Sequence, residues 1–259
     1  MLGFSPEVSV IMPAYNAERT IQQAIESVLI QDVPLELIVI DDGSSDRTKE
    51  IVQSMAKDLE TKQKDGKHYI VYHKNQKNSG AAASRNTGTA MARAPWVAFL
   101  DSDDWWAAGK LKAQLELLSK TGDVLCCTAR NLVNHDGKSM NHMIHVRSRI
   151  TYRDLLKHNS INCSSVVVRT EVMRAFPMTH EDSHEDYISW LQILKKYGSV
   201  CGIDRPYLMY RMSQNSKSGS KLKAAKMTYK VYGYMGYGRL QSAAMFISYA
   251  IHGIIKYLI

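Results

Sequence analysis

The chain has 259 residues, of which 45% are hydrophobic and 22% charged, which suits one globular domain, or one domain with an appendage. It lacks a signal-peptide pattern and any run of about 18 uncharged apolar residues, which argues against a secreted protein and a membrane span. The whole formal net charge of +8 lies in residues 204–259, which hold nine Lys or Arg and one Asp. A basic tail on a neutral body predicts an anionic partner, either membrane lipid or nucleic acid.

Apolar runs alternate with amphipathic stretches through the first 120 residues. Strands are predicted at 8–12, 35–40, 69–73 and 96–100. Helices are predicted at 17–29, 47–59, 81–92 and 110–120, with Asn16 as the N-terminal cap of the first. This alternation predicts an α/β fold with a mainly parallel sheet, flanked by helices and joined by right-handed crossovers.

The second half of the chain is less regular. Strands are predicted at 123–128, 164–169, 200–203 and 207–211, and helices at 152–158 and 185–197. Residues 213–220 are polar and predicted to be mobile, and the rest is helical in pattern, with breaks near Gly236 and Gly238. We therefore predict a main domain at 1–211 and a basic, aromatic-rich helical segment at 212–259.

Cysteine usage bears on the cellular compartment. Cys126, Cys127, Cys163 and Cys201 show no metal-ligand spacing. The first two lie in an apolar run, which indicates reduced core residues. Reduced cysteines favour the cytosol.

An acidic turn ends the apolar run WVAFLDSDDWW at 96–106. Asp101, Asp103 and Asp104 repel one another, which is tolerable only in water or beside a cation. Ligands of open α/β sheets bind just beyond the carboxyl ends of strands, where an Asp-x-Asp can hold a divalent metal that bridges a diphosphate. Taken alone, the same motif is also typical of a turn that caps the next helix.

Two further acidic pairs accompany this turn. Asp41 and Asp42 end another predicted strand, so a parallel sheet places them on the same edge, where they can accept hydrogen bonds from a ribose or a base. Glu185 and Asp186 open a predicted helix, where acids are favourable in any case. Arg85 interrupts an alanine-rich helix, and by itself would be explained by a surface ion pair. Together these groups predict a nucleotide site.

This set of features resembles the inverting family 2 glycosyltransferases, which adopt the glycosyltransferase A fold and include bacterial enzymes of polysaccharide and lipopolysaccharide biosynthesis. The resemblance spans about residues 8–211 and fades from Met212 onward. Five motifs in family order carry it: VSVIMPAYN at 8–16, ELIVIDDGSSD at 36–46, NSGAAASRN at 78–86, WVAFLDSDD at 96–104 and HEDYISW at 184–190.

The resemblance implies a role for each matching residue. Asp103 would bind Mn²⁺ or Mg²⁺, Arg85 would face the diphosphate, and Asp186 would be the catalytic base. The nucleotide-sugar-binding residues would be Pro13, Ala14, Tyr15, Glu18, Asp42, Arg85, Asp101 and Ser102. Elementary chemistry supports the base: inversion needs one carboxylate to take the acceptor proton while a metal stabilises the departing diphosphate.

We therefore expect a metal-dependent single displacement that moves a sugar from a nucleoside-diphosphate sugar, preferably a UDP-sugar, to a lipid-linked oligosaccharide or polysaccharide. The basic segment is expected to dock on an anionic membrane without crossing it, at the cytoplasmic face. Alternatively, its aromatic residues pack on the main domain or on a second subunit, which would make a homodimer. The identities of the sugar, the linkage and the acceptor depend on loops such as 131–149 and 213–220, whose sequences do not predict a specificity.

Two other functions fit the sequence less well. A sugar-phosphate nucleotidyltransferase would favour a glycine-rich, basic phosphate loop after the first strand, where this chain has PAYN at 13–16. A nucleic-acid-binding module would use the basic tail. The neutral body and the three acidic groups argue against nucleic acid as the partner.

Overall fold

The structure, a computed structural model, describes residues 5–62, 66–212 and 221–258. The strands are β1 Val8–Ala14, β2 Leu35–Asp41, β3 His68–Lys74, β4 Trp96–Phe99, β5 Trp105–Trp106, β6 Leu125–Val133, β7 Ser139–Ile144, β8 Arg149–Thr151, β9 Val167–Arg169 and β10 Ser199–Arg211. The helices are α1 Ile21–Leu29, α2 Thr48–Lys62, α3 Gly80–Met91, α4 Lys110–Thr121, α5 Tyr152–Lys157, α6 Thr170–Ala175, α7 Glu185–Tyr197, α8 Lys221–Tyr234 and α9 Arg239–Leu258.

One sheet organises the described part of the chain, in the order β3-β2-β1-β4-β9-β6-β10-β5, with β7 beside β6 and β8 beside β10. Strands β1 to β4 pair in parallel. Strand β9 runs antiparallel between β4 and β6, and β10 is parallel to β6. The predicted α/β architecture is confirmed, with its parallel half at β1–β4 and a mixed second half.

Helices cover both faces of the sheet. Leu37 and Val39 of β2 belong to one buried hydrophobic cluster, whereas Ile38 and Ile40 belong to the other. Side chains alternate between the faces of a strand, so a strand buried on both sides becomes apolar at nearly every position. That is why β1 and β2 read as continuous apolar runs.

Small residues let α3 lie close to the sheet. A Cβ atom added to Gly88 would stand 2.5 Å from Cγ2 of Ile11 on β1, so a larger residue would displace the helix. Ala82 and Ser84 are also buried on this helix. The close approach carries Arg85 to the carboxyl ends of the parallel strands.

The first helix begins later than predicted. It starts at Ile21 rather than 17, and Asn16 is not its cap, because Asn16 has φ of 49° and its side-chain oxygen accepts the Ser45 N–H at 2.9 Å. The N–H groups of Ala17 and Glu18 donate to Thr48 Oγ1 and Asp46 Oδ2. Contacts with the loop after β2 therefore hold residues 16–18 outside the helix.

Several predictions in the second half are corrected. Strand β6 extends to Val133 and forms an antiparallel hairpin with β7, so the expected loop at 131–149 is largely strand. The predicted strand at 164–169 begins instead as a short 3₁₀ turn, Cys163–Ser165, before β9. The two strand segments near 200 and 211 form one strand, β10, with register shifts around Pro206.

The predicted break in the C-terminal segment is confirmed between α8 and α9, where Gly236 has φ of 89°. Part of the segment packs on the main domain, since Val231 and Tyr232 are fully buried and Tyr232 donates to the Leu156 carbonyl at 3.0 Å. The boundary at 212 stays a prediction. Residues 213–220 lie outside the described residues, and in the described chain no helix is long and apolar enough to span a membrane.

The first residue of α4 is a lysine buried in the core. Lys110 is fully buried, and its Nζ donates to Gln114 Oε1 at 2.8 Å and stands 4.0 Å from the ring centroid of Trp106. Burial lowers the pKa of Lys110 to about 7. Between this pH and the ordinary lysine pKa, the unfolded chain binds the proton that the folded chain lacks.

We predict that the contribution of Lys110 to the free energy of unfolding increases from pH 7 to pH 8.5, because the unfolded state holds more protons in this range. Urea denaturation of wild type and Lys110→Met at both pH values measures it. The variant should show a smaller increase than wild type, whereas Lys112→Met, an exposed control on the same helix, should match wild type. Equal increases for Lys110→Met and wild type would mean that the buried amine is charged.

Candidate active site

A cleft of about 400 Å³ opens at the carboxyl ends of the parallel strands. All the predicted site residues except Glu18 line it: Pro13, Ala14, Tyr15, Asp42, Arg85, Asp101, Ser102, Asp103 and Asp186. They come from the ends of β1, β2 and β4, from α3 and from the first turn of α7. Residues up to about 170 positions apart in sequence thus meet at one sheet edge, as the rule for open α/β sheets requires.

Arg85 is the buried centre of the cleft floor. Its Nη2 lies 2.5 Å from Asp101 Oδ1 after β4, and its Nη1 lies 3.5 Å from Glu185 Oε1 at the start of α7. Burial works to lower the pKa of Arg85, but the neighbouring carboxylates, chiefly Asp101, raise it overall. Arg85 is therefore a fixed cation that joins two acidic elements. Its buried Nε has no hydrogen-bond partner among the residues that the structure describes.

The acidic turn after β4 concentrates negative charge. Burial, followed by the charge of Asp101, raises the pKa of Asp103 to about 6. Burial and its two acidic neighbours also raise the pKa of Asp104. The turn is closed by the Asp104 N–H donating to the Asp101 carbonyl at 3.1 Å. A cation brought to this turn would relieve repulsion that the fold itself enforces.

Arg211 also holds the acidic turn, through Asp103 and Asp104. Its backbone N–H donates to Asp104 Oδ1 at 2.8 Å, and its Nε donates to the Asp103 carbonyl at 2.8 Å. The guanidinium also donates to the His135 carbonyl and to Gln23 Oε1. Sequence reasoning missed this residue because only the pairing of β10 with the rest of the sheet brings it to the turn.

Asp42 lines the cleft with its carboxylate already engaged. It accepts the N–H groups of Ser79 and Gly80 and the side-chain amide of Asn75. The carboxylate thus anchors the N-terminal end of α3, where a negative charge is favourable. The exposed ring of Tyr15 lies beside it at the cleft wall.

Glu18 lies outside this cleft. It lines a neighbouring cavity of about 760 Å³ that shares Asp103 and Arg211 with the cleft. Its Oε2 accepts the backbone N–H of Arg47 at 3.2 Å and stands 3.4 Å from the Arg47 guanidinium. In this structure, Glu18 joins the loop after β1 to the start of α2.

Asp186 is half-buried in the first turn of α7 and faces the cleft. Its Oδ1 accepts the Tyr187 N–H at 2.7 Å. Burial and the adjacent charge of Glu185 raise the pKa of Asp186, although Arg85 and His184 oppose the rise. A carboxylate with a raised pKa is a stronger proton acceptor than an ordinary aspartate, which suits a general base.

Helix α8 supplies one wall of the cleft. Met227 lines it, and His184 Nε2 stands 3.4 Å from the Ala224 carbonyl. The helix also holds the loop before Asp186: Lys230 forms a 2.6 Å ion pair with Asp182. Other lining residues that sequence reasoning did not single out are Ala81, Ser84, Asn159, Asn162, Cys163, Tyr210 and Met227.

The carboxylates that line the cleft suit a metal ion that binds together with a diphosphate, rather than one held by protein ligands alone. Among the described residues no group of three or more His, Cys, Asp or Glu could hold a metal ion. Mg²⁺ commonly takes only one or two carboxylates and completes its ligands with water and substrate phosphates. Asp101 and Asp103, both lining the cleft, match that pattern.

Comparison of the sequence with known proteins gives matches along the whole chain. A sequence model described as Glycosyl transferase family 2 matches residues 9–177. The putative teichuronic acid biosynthesis glycosyltransferase TuaG of Bacillus subtilis is 36% identical over 100% of both chains. The UDP-Glc:alpha-D-GlcNAc-diphosphoundecaprenol beta-1,3-glucosyltransferase WfgD of Escherichia coli is 34% identical over 96% of this chain and 94% of WfgD.

Solved structures share the fold. S. aureus TarS 1-349 in complex with UDP-GlcNAc superimposes with a TM-score of 0.69 at 18% identity, covering 94% of this chain and 71% of TarS. The mannosyltransferase PcManGT from Pyrobaculum calidifontis, in complex with GDP-Man and Mn²⁺, gives 0.68 at 16% identity, covering 93% and 70%. The predicted glycosyltransferase A fold is confirmed.

Proposed function

The chain belongs to glycosyl transferase family 2, and we propose that it transfers a hexose, with inversion, from a UDP-sugar to a lipid-linked glycan during surface-polysaccharide synthesis. The observation that best supports this proposal is that Asp42, Asp103 and Asp186, which come from three separate parts of the fold, line one cleft. A sugar transfer with inversion needs a site for the nucleotide, a site for its diphosphate and one base, and these three carboxylates lie where those groups would meet.

The proposed donor is a nucleoside-diphosphate sugar. Pro13, Ala14, Tyr15 and Asp42 form the cleft wall that would receive the nucleoside. A UDP-sugar is favoured because WfgD is named for UDP-Glc and the TarS structure contains UDP-GlcNAc. PcManGT holds GDP-Man, so the fold by itself does not select the base.

A divalent cation is the proposed cofactor, held by Asp103 and assisted by Asp101. When bound with the donor, Mn²⁺ or Mg²⁺ supplies positive charge against the departing diphosphate. Arg85 supplies a second, permanent positive charge, because it is fixed by Asp101 and Glu185 on the cleft floor. Arg85 would hold the acidic turn in place through Asp101. Its positive charge would also stabilise the negative charge of the diphosphate.

Asp186 is the proposed general base. It takes the proton from the acceptor hydroxyl while that oxygen forms its bond to the anomeric carbon and the bond to the diphosphate breaks. Glu185 remains paired with Arg85 at 3.5 Å, so the two neighbouring acids have separate tasks. The raised pKa of Asp186, caused first by burial, strengthens it for this step.

The proposed acceptor is a lipid-linked oligosaccharide or polysaccharide. WfgD is named for a GlcNAc-diphosphoundecaprenol acceptor, and TuaG for teichuronic acid biosynthesis. A lipid-linked acceptor places the reaction at a membrane surface. We therefore propose a cytoplasmic protein that attaches peripherally to the inner face of the cell membrane, and its four buried, free cysteines suit that compartment.

We predict that Asp103→Asn weakens Mn²⁺-dependent UDP binding at least tenfold and leaves the fold intact, because one oxygen ligand loses its charge. Isothermal titration of UDP with and without Mn²⁺ measures this, and Asp32→Asn, an exposed aspartate, serves as the control. If Asp103→Asn binds UDP in Mn²⁺ as tightly as wild type does, Asp103 is not the metal ligand.

We predict that Asp186→Asn lowers kcat by about 10²–10⁴-fold and leaves the affinity for the donor unchanged, because an amide accepts no proton at neutral pH. Transfer from UDP-glucose to a GlcNAc-diphospholipid, followed by release of UDP, measures kcat. Glu171→Gln, an exposed acid on α6, should behave as wild type. Turnover by Asp186→Asn at the wild-type rate would exclude the base role, and an equal loss of UDP affinity would assign Asp186 to the nucleotide site.

A further inference from the structure

Helix α9 presents an apolar face to solvent. Leu240 is 88% exposed, Ile247 60% and Ile251 52%, and Ala244 is exposed between them. These residues are spaced i, i+4, i+7 and i+11, so they form one line along the helix, which we name the α9 stripe. A helix on the surface of a globular protein normally turns this kind of face inward.

The opposite face of α9 is the one that contacts the protein. Ser242 is buried, and the ring of Tyr249 lies 5.4 Å from His158 and 6.2 Å from Tyr187 between ring centroids. Ser242 and Tyr249 are seven residues apart and therefore share a face, about half a helical turn away from the stripe. The orientation is thus fixed by contacts, and the outward stripe is left without cover from the described residues.

The charged side chains of the segment that forms α8 and α9 are all positive. Residues 221–259 contain six Lys or Arg and neither Asp nor Glu. Lys223, Lys226 and Arg239 are exposed, and Lys230 is paired with Asp182 of the main domain. Exposed tyrosines, Tyr229 and Tyr234, accompany them. Apolar, aromatic and basic groups without acids are the composition of helices that lie in the headgroup region of anionic membranes.

A second copy of the chain is a poorer partner for this face. A symmetric dimer would place the same basic helices against each other, and residues 221–259 offer no carboxylate to pair with those charges. An anionic lipid surface supplies the missing negative charge along the full length of the stripe. Charge complementarity therefore selects lipid.

We propose that the α9 stripe is a membrane-docking surface that binds the interface of an anionic bilayer, with α9 lying parallel to it. This surface rests on the proposed membrane location of the protein but not on the reaction that the protein catalyses. Helix α8, which packs on α9 and carries Met227 into the cleft wall, would then hold the cleft beside the membrane. A lipid-linked acceptor would reach Asp186 from that side.

Co-sedimentation of the full-length protein with vesicles tests this. The vesicles contain either phosphatidylglycerol mixed with phosphatidylethanolamine, or phosphatidylcholine alone. The test variant is Leu240→Gln/Ile247→Gln/Ile251→Gln, and the matched control is Ile30→Gln/Met140→Gln, which changes comparably exposed apolar residues elsewhere. Leu240→Gln alone is a second variant, since its almost fully exposed side chain contributes little to folding.

We expect wild type and control to bind the anionic vesicles and to bind phosphatidylcholine at least tenfold more weakly. The triple variant should lose at least tenfold in partitioning onto anionic vesicles, and Leu240→Gln should lose a smaller part. All variants should keep wild-type turnover on a water-soluble GlcNAc-diphosphate acceptor, so a failure of docking is distinguishable from a failure of the proposed reaction.

Three results would overturn the proposal. Wild type could fail to sediment with anionic vesicles, or the triple variant could bind them as well as wild type does. Light scattering could also show a wild-type dimer that the triple variant converts to a monomer with unchanged vesicle binding. The last result would assign the α9 stripe to a second copy of the chain.

Discussion

A buried guanidinium links the two halves of the cleft. Arg85 reaches across from α3 to Asp101, which ends a parallel strand, and to Glu185, which opens α7. A buried charge is costly unless it is paired, so Arg85 and the two carboxylates beside it stabilise one another. The position of Asp186, one residue after Glu185, and that of Asp103, two residues after Asp101, both follow from this interaction.

The fold places several carboxylates close together in the acidic turn after β4. Arg85 contacts Asp101, and Arg211 contacts the Asp103 carbonyl and the Asp104 carboxylate. Neither arginine cancels the repulsion, since burial and neighbouring charge still raise the pKa of Asp103 to about 6. A turn held rigid while strongly acidic is suited to take a cation and a diphosphate together, which is the arrangement that the proposed transfer requires.

Short-range sequence patterns predicted most of the strands and helices in the parallel half of the sheet. The bounds of β2 and α7 are close to those predicted, because continuous apolar runs and a 3.6-residue period leave few alternatives. The start of α1 was wrong because the N–H groups of residues 17 and 18 donate to side chains of residues 46–48. The β6–β7 hairpin was missed because the second strand, SMNHMI, mixes polar and apolar residues and only its last residue is buried.

The sequence predicted many of the residues that line the cleft, but not the contacts between them. The motifs brought Arg85 and Asp186 to one cleft, yet the pairing of Arg85 with Glu185, 100 residues away, has no local signal. Arg211 and Met227 reach the cleft only through the register of β10 and the docking of α8. Such long-range contacts depend on how elements pack, which a single sequence does not encode in any local pattern.

Arg85 and Glu185 form a buried ion pair that ties α7, which carries the proposed base Asp186, to the acidic turn. Urea denaturation of a double-mutant cycle, Arg85→Met and Glu185→Gln singly and together, measures their coupling free energy directly. We expect a coupling of about 0.5–3 kcal/mol, with the double variant less destabilised than the sum of the singles, because either single change already breaks the same ion pair. Effects that add to within about 0.3–0.5 kcal/mol would contradict it.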